Sequence, residues 1–78
     1  PKAARPLYVV GLWFARGVFE SFRDGRGALQ AADELDHTGL KLYRMIASEV
    51  RMLYHANRGE LEHARIHLEQ VELHAIQI

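Results

Sequence analysis

Apolar residues recur along this chain at alternating steps of three and four, and that rhythm restricts the fold more than any other feature. From Tyr8 the series Leu12, Ala15, Phe19 and Phe22 follows at steps of 4, 3, 4 and 3. From Leu61 the series Ala64, Leu68, Val71, Ala75 and Ile78 follows at 3, 4, 3, 4 and 3. Side chains at these spacings share one face of an α-helix. The expected class is therefore all-α: antiparallel helical hairpins or a three-helix unit, in one domain covering residues 1–78.

The first helix is expected from Pro6, which loses nothing by lacking an N–H in a first turn. Val9, Val10, Trp13, Phe14 and Val18 spread its apolar surface round most of the circumference, so it reads as surrounded by other elements. Arg23-Asp24-Gly25-Arg26-Gly27 ends it, the glycines offering left-handed conformations. Beyond that turn, Ala28, Ala32, Leu35, Gly39, Leu42, Ile46, Val50 and Leu53 keep steps of three and four. Either Gly39 ends a short helix, or one helix runs from about Ala28 to about Ala56. The unbroken register favours the long helix, with Gly39 tolerated at about 1 kcal/mol. Asn57-Arg58-Gly59 is a stop, and the third helix is expected from Glu60 onward. Ile66, Leu73 and Ile76 form a second apolar stripe on it, which calls for a second neighbour.

A chain of 78 residues hides only about 60% of its unfolded surface, so outside support is the rule for such folds. With no cysteine, that support is neither a disulfide nor a thiolate-bound metal, and a cysteine nucleophile is excluded. Ten basic residues balance ten acidic ones, so no bulk positive field draws in nucleic acid. The stretch from Leu7 to Ala15 is far shorter than the ~20 residues of a membrane span. No export signal is recognisable, and a cytoplasmic location is expected. Pro1 at the start and an apolar-periodic segment at the end make the chain read as a piece of a longer protein.

Two resemblances accompany this reading. Arg26-Gly27-x-Leu29-x-x-Ala32 and Arg58-Gly59-x-Leu61-x-x-Ala64 match at an offset of 32, as do Ala15 with Ala47, Val18 with Val50 and Phe22 with Tyr54. A period in this range resembles tetratricopeptide repeats. Gly59, Leu61, Ala64 and Leu68 fit the later half of that pattern; Ser48, Met52 and His55 depart from its earlier half. The stretch Ser48-x-x-Arg51, His55, Gly59-Glu60-x-Glu62-x-Ala64-x-x-x-Leu68 is similar to a helical hairpin of the translin family. That resemblance covers about a quarter of the chain. It implies an all-α oligomer that binds single-stranded RNA or DNA, and it carries over no catalytic carboxylate.

Three sets of residues are candidates for chemistry. Arg44, Arg51, Arg58 and Arg65 recur every seven residues. Arg44, Arg51 and Arg58 are the candidate phosphate contacts of the nucleic-acid alternative, with Tyr43 and Tyr54 to stack bases; Glu49, Glu60 and Glu62 nearby suit an ordinary solvent face instead. His63 and His67 are spaced i, i+4, the spacing of a helical zinc pair, with Glu60 and His74 on the same flank; they are the metal alternative. Failing a metal, these histidines would make assembly sensitive to pH between about 5 and 7. Asp33, Glu34 and Asp36 with His37 do not converge on one helix face. No nucleophile turn or phosphate loop is present, so no catalytic residue and no cofactor are expected. The leading expectation is a protein–protein interaction or oligomerisation module without catalytic activity, partnered by a second copy or another helical protein. Trp13, Phe14, Phe19, Ile66 and Leu73 are its expected contact residues.

Overall fold

A computed structural model describes residues 5–23 and 25–77, with side chains from residue 9 onward. It contains four helices: α1 (Arg5–Glu20), α2 (Arg26–His37), α3 (Lys41–Asn57) and α4 (Leu61–Gln77). The class is all-α, as the periodicity requires. The side chains of Tyr8 and Ile78, each at one end of an apolar series, lie outside the described residues.

The long helix expected over residues 28–56 does not form. Gly39 takes φ 72°, a conformation open to glycine at little cost. Thr38 Oγ1 donates to Leu35 O at 2.7 Å and accepts from Leu40 N–H at 3.2 Å. Leu40 is extended (φ −78°, ψ 131°) and starts α3. The steps of three and four continue through this turn because the helices on both sides of a short link face the same core. The register therefore could not distinguish one long helix from two folded together, and four helices replace the expected three.

α3 is the hub. Its residues Met45, Ile46, Ala47, Ser48, Glu49 and Val50 are all buried. Six consecutive buried positions exceed one 3.6-residue turn, so α3 is enclosed on every side at this level. α2 and α4 run antiparallel to it through short turns. α1 runs parallel to it: Gly11 lies against Met45 and Glu49, and Gly25, just past its end, lies against Tyr54. Ala15, Ala28, Ala32, Ile46, Ala47 and Val50 form the larger core cluster, flanked by Val18, Phe19, Leu35, Leu42 and Leu53. Met45, Val71 and Ala75 form a smaller one beneath α4.

The 32-residue echo marks equivalent places in the hairpins α1–α2 and α3–α4. Ala15, Ala47, Ala32 and Ala64 are all buried. The turn glycines do not follow the echo. Positive φ occurs at Gly25 (77°) and Gly59 (76°), whereas Gly27, the echo partner of Gly59, is helical and lies beneath the Phe22 ring.

Candidate functional site

The apolar residues are distributed unusually by size. Among the described residues the buried apolar set holds six alanines, with Met45, Ile46, Val50 and Val71 as its larger members. Val10, Trp13, Phe14, Leu61, Leu73 and Ile76 are each more than half exposed. A folded chain ordinarily hides its largest apolar groups first.

The densest exposed apolar surface is the outer side of α1. Trp13 is 68% exposed and Phe14 52%, with Val9 and Val10 beside them. Gly17 stands one turn further along, with open space above it. Among the described side chains the charges here are Arg16 and Glu20, joined by a 2.8 Å ion pair. Arg16 also lies 5.9 Å from the Trp13 ring centroid, within cation–π range. Of the other expected contact residues, Ile66 and Leu73 are exposed on the outer side of α4. Phe19 is different: it packs against the larger core cluster within the chain.

The arginine stripe is largely engaged internally. Arg51 bridges α3 to α2, with Nη2 at 2.9 Å from Asp33 Oδ1 and 2.6 Å from Asp36 Oδ2. Arg58 contacts Glu60 at 3.3 Å and lies 5.5 Å from the Tyr54 ring centroid. Arg65 is held by Glu62 and Glu69. Arg44 lines an open groove of about 540 Å³ between α2 and α4, together with Asp36, Ser48, Arg51, Gln70 and His74. Asp33 and Asp36 of the acidic cluster on α2 thus anchor Arg51. Arg51→Ala should cost about 1–2 kcal/mol in chemical denaturation, because it unpairs two carboxylates and loosens α2 from α3.

His63 and His67 are brought together, and α3 adds a third ring. The His55 centroid is 5.0 Å from that of His63 and 5.3 Å from that of His67, with interplanar angles of 27° and 9°. His55 Nδ1 lies 2.9 Å from Glu60 Oε1, and His67 Nδ1 lies 3.3 Å from Gln70 Oε1. His74 faces the groove between α2 and α4 instead. In this stacked arrangement no group of three or more His, Asp or Glu side chains among the described residues is set to hold a metal ion. Burial holds His67 below the ordinary histidine range, and the nearby His55, Arg51 and His63 add to the effect. Glu60 is held below the carboxylate range, chiefly by its hydrogen bond with His55. The sequence could have revealed His55: a chain folding back about Gly59 brings the fourth residue before it opposite the fourth after it, His63.

Glu49 was grouped by sequence with solvent-facing charges, and the structure corrects that. It is 0% exposed, and neither carboxylate oxygen has a hydrogen-bond partner. Gly11 of α1 covers it; a Cβ there would stand 2.7 Å from Glu49 Oε1. Desolvation pushes its pKa up to about 8, since a dry environment penalises the charged form. Nothing in the local pattern distinguishes this glutamate from its exposed neighbours.

No family model, curated protein or solved structure matches the chain. Among the described residues no helix is long and apolar enough to cross a membrane.

Proposed function

We propose that this domain is a self-association module that joins two copies through the outer face of α1, without catalysis of its own. The observation that carries the reading is the inverted size distribution: alanines inside, Trp13, Phe14 and Val10 outside. Covering that face would supply the apolar burial that a domain of this length lacks.

A second copy suits the face better than a charged partner does. Trp13 is a protrusion, and Gly17, one turn away, is a hollow. Two α1 helices packed antiparallel about a two-fold axis bring each Trp13 onto the other's Gly17, a self-complementary pairing of the kind two-fold dimers use. The charges described on the patch, Arg16 and Glu20, satisfy each other, and a neutral chain does not repel its copy.

Sedimentation equilibrium should give a mass near twice 8.9 kDa for the unmodified chain. Trp13→Glu combined with Phe14→Glu should give the monomer with its helical signal intact, since both side chains are already exposed. Gly17→Leu is the sharper variant. It improves helix propensity by up to about 1 kcal/mol, so a dimer weakened tenfold or more cannot be blamed on unfolding. A monomeric unmodified chain at high concentration, or a dimer indifferent to both changes, would overturn the reading.

A further inference from the structure

The groove of about 540 Å³ between α2 and α4 has α3 as its floor. Arg44, Ser48 and Arg51 follow one another there at steps of four and three, so the helix sets them in one row. His74 and Leu73 of α4 line one wall, and Asp36 of α2 lines the other.

Ser48 is buried, at 2% exposure, yet its hydroxyl has no hydrogen-bond partner among the described residues. A serine inside a helix commonly donates to the carbonyl one turn back. Ser21 does so, to Gly17 O at 2.8 Å, and Ser48 does not. A buried hydroxyl left unpaired is costly, and this one borders the groove. Arg44 and His74 also lack a hydrogen bond or ion pair among the described residues, whereas Arg16, Arg58 and Arg65 are all paired. The carboxylate in the lining, Asp36, is turned to Arg51 Nη2 together with Asp33. What the groove leaves unsatisfied is therefore a set of donors: a guanidinium and a hydroxyl on the floor, and an imidazole on the wall.

We propose that this groove binds a small phosphate monoester, its phosphate oxygens accepting from Arg44, Ser48 and His74 and its organic group lying along Leu73. Guanidinium groups suit phosphate through paired, charge-assisted hydrogen bonds. A tetrahedral phosphate presents oxygens to floor and wall together, whereas a planar carboxylate presents its two to one side. Leu73 is 61% exposed and offers apolar contact at the edge of the site. The volume lies within the range of about 300–1,000 Å³ usual for small-molecule sites. No lining residue belongs to α1, so the site does not depend on the proposed self-association.

The test is an NMR titration of the full ¹⁵N-labelled chain with phenyl phosphate, at neutral pH in chloride buffer. Phenyl phosphate should bind with a Kd of about 0.1–1 mM and shift the Arg44 Nε–H and the Ser48 and His74 amide signals. Inorganic phosphate lacks the organic group, and benzoate replaces the phosphate with a carboxylate; both should bind more weakly, benzoate by about tenfold. Arg44→Gln should weaken phenyl phosphate about tenfold or more, and Ser48→Ala about threefold to tenfold. Arg44 is exposed, so its replacement should leave the helical circular dichroism intact. Arg65→Gln removes the same charge from an exposed position of α4 and should leave binding unchanged. A Kd above about 10 mM, shifts confined to residues outside the groove, or equal losses in Arg44→Gln and Arg65→Gln would overturn the proposal. So would inorganic phosphate, benzoate or a single-stranded oligonucleotide binding as tightly as phenyl phosphate.

Discussion

Glu49→Gln will turn a domain that loses stability as pH rises into one that does not. The folded carboxyl titrates near 8, against about 4.3 for a free glutamate. Between those values the unfolded chain has released the proton and the folded chain has kept it. Stability is therefore fully present below about pH 4.3 and is lost as pH rises through 8. The total loss approaches 5 kcal/mol at 1.36 kcal/mol per unit. Small domains often have little more than that in all. Urea denaturation of the unmodified chain should give a midpoint that falls steadily from pH 5 to pH 8.5, and Glu49→Gln should abolish that fall. Glu49→Met, which also removes the unpaired polar atoms, should be more stable still at pH 8. His67 works in the opposite sense. Its lowered pKa gives stability that is present above about 6.5 and lost as pH falls through the folded value. With Glu49 neutralised, that weaker acid-side loss should become visible. A flat profile in the unmodified chain would mean that water reaches the Glu49 carboxyl.

The reason Glu49 escaped notice in the sequence is also the reason the helices were legible. Periodicity reports which residues share a face, and faces are what a helix buries. It placed Ala15, Ala28, Ala32, Ile46, Val50, Ala64, Val71 and Ala75 inside, and all are buried, whereas Leu61 of the same series is exposed. It cannot report how many neighbours a helix has. α3 is enclosed on all sides, so its nominally polar side at Ser48 and Glu49 is buried too. The same limit applies to α1. An apolar circumference predicted a surrounded helix, and within one chain the outer half of that circumference stays exposed. The paired histidines of α4 were readable from their spacing. The third ring is readable only once the chain is folded back about Gly59, which sets His55 opposite His63. The break at Gly39 was hidden for a different reason: a left-handed glycine leaves no trace in a register that both flanking helices continue.

The turn glycines should then separate sharply in cost, although all three have nearly the same φ. Gly39→Ala and Gly59→Ala put a Cβ into open space and should cost only the backbone penalty of about 1–2 kcal/mol. Gly25 has φ 77°, but its Cβ would stand 2.7 Å from Tyr54 Cδ2 and Cε2. Gly25→Ala must therefore carry both the backbone strain and the displacement of a packed ring, about 2–5 kcal/mol together. Tyr54 has little freedom to yield. Its ring meets His55 edge-on at 5.1 Å and lies beneath Arg58. A double-mutant cycle isolates the steric part. In a Tyr54→Ala background the excess cost at Gly25 should disappear, leaving a coupling of about 1–3 kcal/mol between positions 29 residues apart. The same cycle tests how the hairpins are joined, because Gly25 belongs to the turn of α1–α2 and Tyr54 to the last turns of α3. An uncoupled pair would mean that the hairpins meet only along the alanine core. A coupled one makes Tyr54 the bridge from the first turn to the imidazole cluster at the second, so Gly25→Ala should then also move the His55 resonances.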